Sequence, residues 1–181
     1  MIIRKATIQD IPQMSKIYLD AIQALAAQGV PQWQCGTGPS CETAQTDILT
    51  GDSYVAEAQG QILGTSYISF GVEPSYRNIT LGQWQSSCSR YGFLHRVAVA
   101  DTAKGTGIVS HFFRQAQQMA QQLDISVLRC DTHQQNLPMQ KALEKFGFYR
   151  CGIIHLENGD PRVGYEYILP AAVSEPTPSS R

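Results

Sequence analysis

The sequence has no apolar run approaching the roughly 18 to 20 residues of a bilayer-spanning helix, so membrane residence is not expected of it. It also lacks an excess of positive charge. Lys and Arg number 14 against 15 Asp and Glu, a net charge of -1, which removes the electrostatic footprint of a general nucleic-acid binder. Charge of either sign is scarce, at 16% against about 25% in average proteins, and the nineteen glutamines are expected to fill surface positions instead. No CxxC spacing joins the five cysteines Cys35, Cys41, Cys88, Cys130 and Cys151, and the residues after Met1 lack the successive zones of an export signal. Free thiols and a cytoplasmic protein are the expectation. His111 on a polar helix face and His155 on a late strand join no metal-ligand spacing, so no metal is expected. Nor does a GxGxxG follow the first strand with an acidic residue about 20 positions on, which excludes a Rossmann dinucleotide site.

What is present suits one domain over residues 1 to 169, since 181 residues at 43% hydrophobic content can bury a core. Ile2, Ile3 and Ala6 open a strand. Asp10 with Gln13 reads as a capping box, and Ile11, Met14, Ile17, Tyr18, Ala21 and Leu25 predict a helix ending near Gly29. Val30 to Thr43, with Pro31, Gly36, Gly38 and Pro39, reads as an irregular loop, and Gly29 to Gly51 as a whole is read as pocket-shaping loop. Ser53 to Ala58 and Gln61 to Phe70 form a hairpin about Gln59-Gly60, and Gly71 to Gly92 is a long excursion. Strand Phe93 to Ala100, helix Ile108 to Leu123, strand Ser126 to Cys130, a helix from Asn136 to Phe146, and strands Tyr149 to Leu156 and Val163 to Leu169 complete the order. A hairpin mixed with strand-helix-strand units points to an α/β sheet of mixed direction. Residues 170 to 181, rich in Pro, Ser and Thr, read as a disordered tail.

The chemistry concentrates where Val97-Ala98-Val99 leads through Ala100 to Ala103 into Lys104-Gly105-Thr106-Gly107-Ile108 at a helix start. The first amides of a helix have no internal partner and carry partial positive charge, so they offer several N–H donors to a phosphate. Gly105 and Gly107 let a ligand approach the backbone, and Lys104 adds a full charge. A simple tight turn is the other reading of these glycines. The stretch Leu94-His95-Arg96-Val97-Ala98-Val99, then Lys104 to Val109, then Asn136 with Gly147-Phe148, resembles the GNAT superfamily of acyl-CoA-dependent N-acetyltransferases. The resemblance implies a mixed, mostly antiparallel central sheet with helices on both faces, its fourth and fifth strands splayed at the cofactor site. It implies acetyl-CoA as co-substrate, held by Val97, Val99, Lys104, Gly105, Thr106, Gly107, Ile108, Val109, Ser110 and Asn136. The family's pyrophosphate signature is Gln or Arg, two variable residues, Gly, one variable residue, then Gly or Ala. Here Lys104 keeps the charge without the planar fork of arginine, and Val109 replaces the small residue. Where the family has a tyrosine that protonates the leaving thiolate, this chain has Leu143.

An alkyl amine of pKa about 10.4 is less than ~0.1% neutral at pH 7, and only the neutral amine attacks a thioester, so a base is useful. His95 lies on the same side of an ideal strand as Val97 and Val99, unless a bulge changes parity, and is the candidate base, with a core histidine as its alternative. Asp131 and His133, following their strand, are candidate amine ligands or relays; helix capping and loop bonding are their alternatives. Asn136 likewise suits either cofactor or helix cap. Cys130 beside Asp131 reads as a buried structural thiol rather than a nucleophile. Trp33 and Tyr76, in long loops, are candidate substrate walls, as is Trp84 more weakly. The expected activity is acetyl transfer to a small-molecule or peptide primary amine by direct attack, with a CoA-binding module without turnover as the alternative. No nucleic acid or membrane partner is expected, and a homodimer is left open.

Overall fold

The computed structural model describes residues 1–170; of the expected tail, 171–181 lie outside the described residues. Strand β1 (Ile2–Lys5) leads into a 3₁₀ turn at Ile8–Asp10 and helix α1 (Ile11–Ala27). The capping box here is Thr7 with Asp10, because the turn inserts a step before the helix. Asp10 Oδ2 accepts from the Thr7 amide at 2.7 Å, and Arg4 donates to both Asp10 oxygens at 2.8 Å. Gln13, expected in that box, instead accepts from the Ile62 amide at 2.9 Å.

The stretch read as one loop contains a second helix, α2 (Cys41–Leu49). Ser40 caps it, its Oγ accepting from Thr43 N at 3.3 Å. Strands β2 (Ser53–Ala58) and β3 (Gln61–Gly71) then form the expected hairpin. Gln59 and Gly60 both take left-handed angles, φ 53 and 76, as a two-residue turn matching the strand twist requires. After the excursion come β4 (Tyr91–Val99), α3 (Ile108–Gln122), β5 (Val127–Thr132), α4 (Leu137–Phe146), β6 (Tyr149–His155) and β7 (Pro161–Ile168).

The seven strands lie in the order β1-β2-β3-β4-β5-β7-β6, and every neighbouring pair is antiparallel except β4 with β5. Helices α3 and α4 cover one face, where Leu94, Phe112, Phe113, Leu128, Leu143 and Tyr165 are buried. Opposite, α1 and α2 pack Met14, Ile17, Tyr18 and Ala44 on Val55 and Ala98. The excursion between β3 and β4 covers the rest of that second face, over Tyr76, Tyr91, Phe93, Val127 and Ile154. Two covered faces on a mixed sheet are the expected α/β arrangement. Among the described residues no helix is long and apolar enough to cross a membrane.

Candidate active site

β4 and β5 pair only over Gly92–Leu94 with Leu128–Cys130, and beyond Leu94 the two parallel strands separate. A bulge begins the fork. Tyr67 pairs with His95 and Thr65 with Ala98, so Arg96 and Val97 together oppose Ser66, and Arg96 takes a left-handed φ of 53. The Arg96 guanidinium secures this geometry by donating to both oxygens of Asp47 in α2 at 2.7 Å, 4.6 Å over the Tyr67 ring. The extra residue reverses the strand's parity. Val97 and Val99 pack toward α3 with Leu94, whereas His95 turns to the other face, 5.3 Å from Phe93 and 5.9 Å from Tyr76 between ring centroids. The expectation that His95 shares a side with the two valines is thus overturned.

At the other arm of the fork, Gly107 caps α3 with φ 87 and Gly105 sits at φ 78, backbone that a side chain rarely adopts. The first helical bond runs from His111 N to Gly107 O at 3.2 Å. The amides of Gly105, Gly107, Ile108, Val109 and Ser110 therefore have no partner among the described residues. A Cβ at Gly105 or Gly107 would meet nothing within 4 Å, so the space before these amides is open. Such a cradle fits a pyrophosphate. Thr106 does not face it in the same way: its hydroxyl donates to Ala103 O at 2.6 Å and its amide bonds the same carbonyl. Lys104 pairs with Asp101 at 2.5 Å on the rim.

One cavity of about 900 Å³ joins the cradle to an acid-base cluster, lined by Lys104, Gly105 and Gly107–Ser110 at one end and by Glu73, His95 and Asp131 at the other. His95 Nε2 lies 3.1 Å from Glu73 Oε2, and Nδ1 lies 3.6 Å from Asp131 Oδ1. Asp131 is the fifth residue of β5 rather than a loop residue, and Tyr76 OH donates to its Oδ1 at 2.8 Å. Burial pushes the Glu73 carboxyl up, but the hydrogen bond and charge of His95 and the Ser75 amide outweigh it and hold it below the ordinary value. Burial, then the Asp131 carboxylate, pushes the Tyr76 phenol well above its ordinary value, so it remains a donor.

Several expected residues fall elsewhere. Tyr76 is 1% exposed and supports Asp131 from beneath instead of walling the cavity. Trp84 is an anchor, its indole donating to Tyr76 O at 2.9 Å. Trp33 does line the cavity. His133 is buried and outside the cavity lining, its Nδ1 accepting from Gln135 N at 3.2 Å; burial, then the charge of Arg162, holds its ring below the ordinary histidine value. Asn136 lines the cavity but is already bonded, capping α4 through Met139 N at 3.3 Å and donating to Gln32 Oε1 at 3.1 Å. Burial, then Asp131, pushes the Cys130 thiol far up, which suits a structural thiol. Leu143 is fully buried in the core. Sequence reasoning misses Glu73, Gln32 and Arg162, because nothing local distinguishes them; only tertiary contacts bring them here.

The acetyltransferase (GNAT) family model matches residues 22–148. In structure the chain is similar to a GNAT-family acetyltransferase from Streptococcus agalactiae 2603, at 30% identity over 93% of this chain and 95% of that one, with a TM-score of 0.83. It shares its fold with a GNAT-family acetyltransferase from Listeria monocytogenes 4b F2365, at 18% identity over 93% and 94% of the two chains and a TM-score of 0.70. The same holds for a ribosomal-protein-alanine N-acetyltransferase from Brucella melitensis, at 22% identity over 93% and 100% and a TM-score of 0.67. No curated protein matches the chain.

Proposed function

The chain belongs to the acetyltransferase (GNAT) family, and from that premise we propose that it transfers the acetyl group of acetyl-CoA to a primary amine by direct attack in a ternary complex. The observation that carries this reading is the single cavity connecting unpaired helix amides to a histidine between two carboxylates. The amides of Gly105 and Gly107–Ser110 hold the pyrophosphate, and the edge of β4 that β5 leaves after Leu94 offers backbone groups to the pantetheine arm. Acetyl-CoA supplies the activated thioester when bound.

The chain's own work is to position the amine and take its proton. Glu73 and Asp131 attract an ammonium into the fork. His95 Nε2 donates to Glu73, which leaves the Nδ1 lone pair as the acceptor, and that nitrogen lies 3.6 Å from Asp131 Oδ1, whose charge favours the proton it takes. A backbone amide near Val97 is the donor to the thioester oxygen. With Leu143 sealed in the core, the thiolate takes its proton from water, which a thiol pKa near 8.5 allows. The same leucine is what favours the second reading, a CoA-binding module without turnover. CoA release with a panel of amines separates them: release above the amine-free rate supports transfer, whereas thermal stabilisation by acetyl-CoA with no release selects the binder.

A further inference from the structure

Arg162 on β7 is 5% exposed, yet it lines the cavity together with Leu156, Asn158 and Asp160. Its bonding is incomplete. Nη1 donates to Pro161 O at 2.9 Å, and Nη2 lies 3.5 Å from Asp160 Oδ2, an oxygen that already accepts from Asn158 Nδ2 at 3.0 Å on a side chain 44% exposed. A guanidinium carries five N–H donors. Ser15 Oγ is the one sealed side-chain N or O atom without a hydrogen bond among the described residues, so the Arg162 nitrogens that make none, Nε and Nη2, are not sealed from solvent, and the residue lines the cavity.

The sheet places this charge beside the acid-base cluster. Asp131 pairs with Gly164, and Arg162 stands two residues along β7 on the same face, a diagonal of about 7–8 Å. No ion pair within 4.0 Å joins Arg162 to Asp131 or Glu73 among the described residues, so a gap separates the cation from the two anions. The cavity end thus offers carboxylates for an ammonium and, one small molecule's length away, a planar fork matched to a carboxylate. A peptide N-terminus or simple alkylamine would leave that cation with only the long, half-exposed contact to Asp160.

We propose that the acceptor is a free amino acid, its amine beneath the fork at His95 and its carboxylate paired with Arg162. This rests on the acetyl-transfer reading. The test pairs each of the twenty common L-amino acids with its carboxamide, measuring both acetyl-CoA turnover and calorimetric binding to the CoA-loaded protein. At least one acid should bind at least ~10-fold more tightly than its carboxamide and be used about 10²-fold better in kcat/KM. In Arg162→Gln that preference should collapse through a higher KM for the acid, and Arg162→Lys should keep part of it. The acid-to-amide ratio of the parent protein stands as a test even if the glutamine variant does not fold. Equal use of acid and carboxamide, a preference that survives Arg162→Gln, or no binding of any acid would overturn the proposal. A binding preference without turnover would leave the carboxylate site standing and remove the transfer reading; turnover of amines without preference does the reverse.

Discussion

His95 depends on groups far from it in the chain: Glu73 and Asp131 flank the ring, and Tyr76 holds Asp131. Replacing it by glutamine keeps a polar side chain but removes the proposed proton acceptor. His95→Gln should lower turnover at pH 7 by roughly 10² to 10⁴, with partial recovery as pH rises and more amine is neutral. A parent-like pH-rate profile in that variant would leave water as the base. Asp10 gives a second residue-level expectation, on stability. The hydrogen bonds from Arg4, against an opposing burial contribution and with help from Thr7, hold its carboxyl down to about 2. A carboxyl lowered on folding stabilises the protein fully above its unfolded value near 4 and loses that contribution as pH falls through the folded value. Asp10→Asn should therefore cost about 1–3 kcal/mol at pH 7, and denaturant titrations should show the gap between parent and variant closing toward pH 2.

At the scale of elements, the start of α3 is where backbone conformation and the proposed cofactor site coincide. The obstacle to a side chain at Gly107 is its φ of 87 rather than crowding, since an added Cβ touches nothing. A valine there costs about 1–2 kcal/mol in backbone strain and projects into the space before the free amides. Gly107→Val should thus lower the melting temperature modestly and weaken acetyl-CoA binding more, as calorimetry would measure; unchanged affinity in a folded variant would remove the cradle from the binding site. Helix α2 shows a different coupling. Its Asp47 is buried to receive Arg96, so a helix absent from the expected order fastens the bulge that turns His95.

For the whole molecule, the long segment carrying Glu73 must be held down on the sheet. Arg129 and Glu166 form a buried pair at 2.9 Å, and Ser86 adds two hydrogen bonds to the Glu166 carboxylate at 2.9 and 2.8 Å. Arg129 is sandwiched between the rings of Trp84 and Tyr91 at 4.3 and 4.0 Å. Gly82 lies so close to Cys151 that a Cβ would sit 2.0 Å from its carbonyl oxygen, and Thr80 bridges Ile153. Arg129→Met would strand a buried carboxylate and should cost about 3–5 kcal/mol in denaturant unfolding, and adding Glu166→Leu to that variant should recover a part of the loss.

Local pattern was enough for most of the elements. The hairpin at Gln59-Gly60, the stripe of α3 and the glycine end of α4 each follow from residues a few positions apart, where turn sterics and helical periodicity act. The free amides at the start of α3 were legible for the same reason, lying within the contiguous stretch from Gly105 to Ser110. Helix α2 was not: its few apolar positions and a buried Asp47 make no stripe, and its role is set by Arg96 across the fold. The side on which His95 lies was likewise decided by a bulge, which adds one residue to a period of two and leaves no mark in composition. Glu73, His95, Asp131 and Arg162 line one cavity because β4 and β5 part after Leu94, β7 pairs along β5, and the segment after β3 brings Glu73 against His95. Charges so far apart in sequence carry no joint local signal, and only the tertiary fold brings them to one cavity.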